Sequence, residues 1–343
     1  MTQKRILVTG GSGFIASHCI IQLLAQGHLV RTTVRALGKE AAVRSILADA
    51  GMVHGDKLSF VAADLLSDDG WVNAVADIDA VLHVASPVQP GHVANEDSLI
   101  TPAREGTLRV LRAARAAGVT RVVLTSAFHA VSWGHPRGDH TFTEQDWTIL
   151  DGPGVDAYGK SKTLAERAAW EFMAEAGSMQ LVTMLPVAVI GPVMGKDISG
   201  ANHLIKTMLD GAMPGFPELF IPVVDVRDVA AAHILAMTTP EAAGERFLLA
   251  NGPALAMKEI GTTIKAALGE AARHIPTRSL PSFVVRIGAL FNPELRPVVP
   301  DLGYAKKTSN EKARRLLGWT PRDPHEAIVA AAESMVKKGL VRT

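Results

Sequence analysis

Short apolar runs alternate along the first half of the chain with longer stretches whose apolar positions recur at helical spacing. Ile6-Leu7-Val8, Leu29 to Val34, Leu58 to Ala62, Ala80 to Val84 and Val122 to Leu124 predict strands. Between them, Phe14 to Ala25, Lys39 to Leu47, Trp71 to Ala76 and Leu99 to Ala117 predict helices. A further strand, Leu181 to Leu185, follows a helical segment that opens at Tyr158. This succession of βαβ units predicts an α/β fold of Rossmann type, a doubly wound parallel sheet. Beyond Gly191 the texture changes, because Pro192, Pro214, Pro217 and Pro222 interrupt the alternation. Helices are expected there over Val226 to Thr238, Lys258 to Leu268, Asn310 to Leu317 and Pro324 to Lys337. The pattern divides the chain into a regular domain, 1–190, and a smaller, less regular lobe, 191–343, with a return to the sheet expected around 223–250.

Composition narrows the class of function. The 343 residues are 48% hydrophobic, enough for a substantial buried core, and no apolar run is long enough to span a bilayer. Thirty-five Lys and Arg against 34 Asp and Glu leave a net charge of +1, so no global field recruits nucleic acid or an anionic membrane. The single cysteine, Cys19, excludes an internal disulfide and fits a reducing compartment. The start, Met1-Thr2-Gln3-Lys4-Arg5, leads straight into the first strand without the apolar stretch of a leader, so a cytoplasmic protein is expected. The twelve histidines and one cysteine show no metal-ligand spacing, and His18-Cys19 inside the first helix read as packing.

Candidate chemistry begins after the first strand, at Thr9-Gly10-Gly11-Ser12-Gly13-Phe14-Ile15-Ala16. Gly11-x-Gly13-x-x-Ala16 between strand and helix is the context in which glycines let backbone approach a pyrophosphate at a helix N-terminus. At the end of the second strand an acid would bind a ribose 2′-hydroxyl, whereas arginine accepts a 2′-phosphate. Here stand Val30-Arg31-Thr32-Thr33-Val34-Arg35, with no acid before Glu40. Arg35, helped by Lys39 or Arg31, therefore predicts NADP(H). Asp64-Leu65 is placed to contact the adenine, and Val84-Ala85-Ser86-Pro87 to lie beside the cofactor ribose.

Tyr158-Gly159-Lys160-Ser161-Lys162 sets a phenol and an ammonium four residues apart on one helical face. An ammonium beside a phenol favours phenolate and is expected to lower the tyrosine pKa toward acid-base use. With Val8 to Ile15, Thr33-Val34-Arg35, Ala63-Asp64-Leu65, His83 to Pro87, Leu185-Pro186, Gly191-Pro192, Val224 to Ala230 and Leu317 to Arg322, these motifs resemble the extended short-chain dehydrogenase/reductase family. Within it the chain is most similar to dihydroflavonol-reductase-type carbonyl reductases. The resemblance implies that Tyr158 protonates a carbonyl oxygen as hydride arrives from the nicotinamide, and that Lys162 also meets the nicotinamide ribose. It further implies cofactor contacts from Gly10, Ser12, Gly13, Phe14, Ile15, Arg35, Lys39, Asp64, Leu65, Val84, Ala85, Ser86, Thr125, Tyr158, Lys162, Pro186 and Val189.

One family feature is missing. The serine expected to polarise the carbonyl closes a Thr-Ser-Ser run, and this chain has Thr125-Ser126-Ala127. Ser126 is the stand-in expected from the sequence, although neighbours in a strand face opposite ways, with His129 and Ser132 in reserve. Trp133, Phe142, Trp147, Met194, Met208, Met213 and Phe216 flank the expected site, and core packing is the better reading of each. The leading expectation is reversible NADPH-dependent reduction of an aldehyde or ketone, aromatic ones included, by a monomer or homodimer. An NAD-dependent nucleotide-sugar epimerase or dehydratase and a non-catalytic dinucleotide sensor are the alternatives.

Overall fold

The computed structural model describes residues 3–87, 95–175 and 177–342; Met1 and Thr2, part of the start read as lacking a leader, lie outside them. The main sheet comprises β1 (Arg5–Val8), β2 (Leu29–Val34), β3 (Leu58–Ala62), β4 (Ala80–His83), β5 (Arg121–Thr125), β6 (Gln180–Pro186) and β7 (Arg246–Leu249). All seven are parallel, in the order β7-β6-β5-β4-β1-β2-β3, with Ile6 between Val30 and Ala80. Parallel neighbours need crossovers. The first five are α1 (Phe14–Ala25), α2 (Glu40–Asp49), α3 (Trp71–Val75), α4 (Asp97–Ala116) and α5 (Ala157–Met173). Then come α6 (Asn202–Leu209), α7 (Val226–Thr238), α8 (Met257–Leu268), α9 (Ser282–Phe291), α10 (Glu311–Leu317) and α11 (Pro324–Lys337). The expected Rossmann-type architecture is the one observed.

Strand alternation explains why both faces are covered. Ile6 and Val8 join an apolar cluster with Ile20 and Leu23 of α1, while Leu7 between them joins Val110 and Leu111 of α4. Accordingly α1 packs on α7 on one face, and α4 on α5 on the other. Residues after 190 build a third cluster, in which Ile205 and Met208 of α6 meet Ile260 of α8 and Ile328 of α11. Among the described residues no helix is long and apolar enough to cross a membrane.

Strand β7 falls in the stretch 223–250 where a return to the sheet was expected, although no strand was delimited there, and α6 and α9 were not predicted. Strand β7 begins with a guanidinium, Arg246, which disguises a run buried along its whole length. Its charge is answered by Glu166 of α5, whose Oε1 accepts from Arg246 Nε at 2.8 Å. The same carboxylate accepts from Thr183 Oγ1 of β6 at 2.8 Å and from Ser126 Oγ, just past β5, at 2.6 Å. One buried carboxylate thereby ties α5 to three adjacent strands of the sheet.

Removing one partner of a buried ion pair strands the other charge without solvent, at a cost of about 3–5 kcal/mol. Glu166→Ala is expected to lower unfolding stability by that order, measured by urea denaturation. A change below about 1 kcal/mol, the scale of an exposed pair, would mean that the network does not anchor α5.

Candidate active site

The strand order reverses direction between β1 and β4, which lie side by side in the sheet. Loops leaving neighbouring strands on opposite faces open a crevice at their carboxyl ends. The glycine turn lies at this crevice. Gly10 has φ +75°, and a Cβ on Gly11 would come within 2.3 Å of Thr32 Oγ1, so neither position tolerates a side chain. Gly10 N–H donates to Thr33 Oγ1 at 2.8 Å and Gly11 N–H to the Thr33 carbonyl at 2.9 Å, which presses the turn onto the end of β2. Helix α1 then starts at Gly13 with no side-chain cap and no acid in its first turn. Its positive end is thus left for an anion. Ser12 and Gly13 are exposed, and Phe14 and Ile15 half-buried. A dinucleotide pyrophosphate fits this cradle.

The adjoining positions lie along the same edge. Arg35 and Lys39 are exposed beyond β2. Arg31 is not available to help them: its guanidinium donates to the Asn73, Ala74 and Ala76 carbonyls, where it finishes the end of α3. That part of the expectation is corrected, because the Arg31 guanidinium is already committed through Nη1 to three carbonyls at the end of α3. Asp64 accepts from Leu66 N–H in a local turn, and Leu65 packs against Gly106 of α4. Past β4, Val84 and Ala85 N–H both donate to Thr9 Oγ1, at 3.0 and 2.9 Å. Those bonds occupy the oxygen, so the Thr9 hydroxyl donates to His83 Nδ1 at 2.9 Å. Thr9 was not singled out by the sequence, since a hydroxyl inside a glycine motif carries no signal of its own. Ser86 is half-buried beside this bracket; Pro186 ends β6 and Val189 lies three residues beyond it.

Helix α5 starts where Asp156 caps it, its carboxylate accepting from Gly159 N–H at 2.7 Å. Tyr158 is half-buried in the first turn, and Lys162 is buried one turn on. The Lys162 ammonium lies 6.0 Å from the Tyr158 ring centre and donates to the Thr125 carbonyl at 3.4 Å. Burial lowers the Lys162 pKa to about 8, against the attraction of Glu166. Burial, then the nearby Asp156 carboxylate, raises Tyr158 to about 12. The expected lowering of the tyrosine is therefore reversed in this state. Desolvation of the phenolate outweighs an ammonium that sits nearer to a carbonyl than to the phenol oxygen's own ring. Burial therefore favours the protonated form of the Tyr158 phenol.

Three of the hydroxyl candidates are used elsewhere or absent. Thr125 Oγ1 meets His233 Nε2 at 2.7 Å, and His233 Nδ1 donates to the Val229 carbonyl, so the threonine is the donor of the first bond. Ser126, expected to polarise the carbonyl, is corrected: its hydroxyl donates to Glu166, two turns along α5 from Tyr158. The alternation of the strand had already turned it away, and the Glu166–Arg246 pair holds it there. Ala127 is buried and extended. His129 lies against the phenol ring, with ring centres 4.9 Å apart and nearly perpendicular planes. Ser132 Oγ is buried without a hydrogen-bond partner.

Beside Trp133 opens a cavity of about 350 Å³ whose walls include Ser132, Arg137, Tyr304 and Lys306. The Tyr304 hydroxyl, like that of Ser132, is buried and unpartnered. Phe142, Met208 and Phe216 are core residues, as packing predicted for them. So are His18, lowered to about 4 by burial, and Cys19, raised to about 12 by the same cause. Among the described residues no cluster of His, Cys, Asp and Glu is arranged to hold a metal.

Known proteins resemble this chain over almost its whole length. A family model described as the NAD dependent epimerase/dehydratase family matches residues 6–250. Ketoreductase azaE of Aspergillus niger is 32% identical, over 98% of this chain and 98% of its own length. The crystal structure of yeast methylglyoxal/isovaleraldehyde reductase Gre2 complexed with NADPH aligns with a TM-score of 0.78 and 26% identity, covering 98% of this chain and 100% of that one. Gre2 of Candida albicans, also in complex with NADPH, gives a TM-score of 0.80 at 25% identity over 97% and 99% of the two chains.

The Lys162 environment is directly measurable. In protein labelled with 13C-lysine, one side-chain resonance, absent from Lys162→Met, is expected to titrate near pH 8, while exposed lysines titrate near ~10.4. If every lysine resonance titrated with the exposed group, Lys162 would be solvated rather than buried.

Proposed function

We propose NADPH-dependent reduction of an aldehyde or ketone to its alcohol as the reaction of this chain, which belongs to the NAD dependent epimerase/dehydratase family. The observation that carries the proposal is the placement of the Tyr158 phenol and the buried Lys162 ammonium on one face of α5, 6.0 Å from ring centre to nitrogen, in a chain that also bears the glycine cradle. The chain is an NADP-dependent oxidoreductase. Residues 1–190 hold the dinucleotide, and 191–343 mainly shape the substrate side. Relatives named as a ketoreductase and as a methylglyoxal/isovaleraldehyde reductase support the carbonyl substrate class.

Each residue then has a stated task. Gly10, Ser12, Gly13, Phe14 and Ile15 receive the pyrophosphate, Arg35 and Lys39 the 2′-phosphate, and Asp64 and Leu65 the adenine. Val84, Ala85, Ser86, Pro186 and Val189 flank the ribose and nicotinamide, and the Thr125 carbonyl holds Lys162 in place. NADPH, when bound, supplies the hydride. As negative charge develops on the carbonyl oxygen, Tyr158 gives it the phenolic proton. Lys162 faces the phenolate that this leaves, and its positive charge lowers the cost of forming it. In the reverse direction the phenolate takes the proton back from the alcohol. Arg35 is exposed beyond β2, where an acid would be needed to prefer an unphosphorylated ribose.

Tyr158→Phe is expected to lower kcat/KM for carbonyl reduction by about 10²–10⁴-fold with NADPH affinity unchanged, since only a proton donor is removed. The pH dependence follows from Lys162. Its charge is present below its lowered pKa and lost above it, so reduction should be level at lower pH and fall through about pH 8. Lys162→Met should abolish that limb; a wild-type profile flat to pH 10 would contradict the role. Arg35→Leu should weaken NADPH about tenfold or more through loss of charge-assisted bonds and leave NADH unaffected. Arg31→Leu should leave the NADPH-to-NADH ratio unchanged.

A further inference from the structure

The site has one acid but, at the expected position, no second donor to the carbonyl oxygen. A carbonyl that accepts hydride accumulates negative charge on oxygen, and a fixed donor aimed at that charge contributes strongly to rate. Thr125 and Ser126 spend their hydroxyls on His233 and Glu166, and Ala127 has none. His129 follows two residues later, in the single turn Phe128–Ala130. Its backbone is pressed against the first turn of α5, close enough that a Cβ on Gly159 would lie 3.7 Å from the His129 carbonyl. The imidazole reaches the same side as the phenol, 4.9 Å from the Tyr158 ring centre at 77°.

Stacking fixes the ring. Trp133 stacks on it with centres 3.7 Å apart and planes at 17°, and the Lys306 ammonium lies 3.8 Å from the Trp133 ring centre. Lys306 is itself paired with Asp301 at 3.1 Å. No hydrogen bond to protein occupies either nitrogen of His129 among the described residues, and the residue is only half-buried. Burial, with Lys306 and Lys162 nearby, lowers its pKa to about 3, so the imidazole is neutral and carries one N–H. Trp133, on which the imidazole stacks, also forms a wall of the 350 Å³ cavity, which connects His129 to that space through one side chain.

We infer that His129 is the second catalytic donor, its N–H hydrogen-bonding the substrate carbonyl oxygen in the place left by Ala127. The inference rests on the carbonyl-reductase reading and adds to it the group that polarises the substrate. NADPH, when bound, would supply the hydride to the carbonyl carbon and be oxidised to NADP+. The carbonyl π electrons move to oxygen, which takes the Tyr158 proton. The His129 proton stays on nitrogen throughout, and water later reprotonates Tyr158.

The test compares wild type, His129→Phe, His129→Phe/Ala127→Ser and Ser132→Ala, each saturated with NADPH, on a carbonyl that the wild type reduces. Phenylalanine keeps the stack on Trp133 and removes the N–H. The expected result is a kcat lower by on the order of 10²-fold with unchanged NADPH affinity, and recovery of about tenfold or more when a hydroxyl is restored at 127. A His129→Phe kcat within about twofold of wild type, or a comparable loss confined to Ser132→Ala, would overturn the inference, because one lost donor is expected to cost far more than that. If His129→Phe does not fold, His129→Ala with added imidazole decides: restored turnover supports the role, and indifference to imidazole overturns it. A wild type that reduces no carbonyl overturns the activity and this inference together. An active wild type indifferent to His129 overturns the inference alone.

Discussion

The active-site geometry depends on a buried ion pair that takes no part in the chemistry. Glu166 and Arg246 meet inside the protein, and their remaining hydrogen-bonding capacity is taken up by Ser126, Thr183 and backbone carbonyls of residues 144 and 146. The Arg246 guanidinium also lies 3.7 Å from the Trp147 ring centre. A buried pair is stable only when such secondary bonds are complete. Completing them fixes the roll and height of α5 against β5, β6 and β7, and Tyr158 and Lys162 ride on that helix.

From this anchor the electrostatics follow. A helix held tightly to the sheet buries Lys162 against the Thr125 carbonyl, and the missing solvent draws its pKa toward about 8. The same loss of solvent raises Tyr158 to about 12. Desolvation thus pushes the two members of the pair in opposite directions, the phenol toward holding its proton and the ammonium toward releasing one. In the reductive direction that polarity is useful, because the phenol must arrive protonated and the ammonium must still be charged when the phenolate forms.

Much of this was legible in the sequence, for physical reasons. The strands and helices of the first half came within a residue or two of their observed limits, and α1, β2, β3, α7 and α11 matched. Their apolar periods are long and flanked by glycine or polar residues. Glycine turn, Tyr158 and Lys162 were legible because each needs particular residue types at fixed spacing. The limits of strand β7 were hidden because its first residue is an arginine whose partner lies eighty positions away. Long-range pairing has no local signature. The same pairing turned Ser126 from candidate into scaffold, and only the placement of the α3 carbonyls showed that Arg31 was occupied. His129 was only a reserve candidate in the sequence; the structure stacks it on Trp133 and sets it edge-on to Tyr158.

The central claim, hydride delivery to a carbonyl carbon with Tyr158 as proton donor, is tested most directly by following the label. Wild type and Tyr158→Phe are incubated with NADPH deuterated at the transferable position and a panel of aldehydes and ketones, and the alcohols are analysed by mass spectrometry. The account predicts deuterium on the carbinol carbon of wild-type product and little or none with Tyr158→Phe. Deuterium remaining with the cofactor for every carbonyl offered, or transfer at equal rate without the phenol, would contradict it.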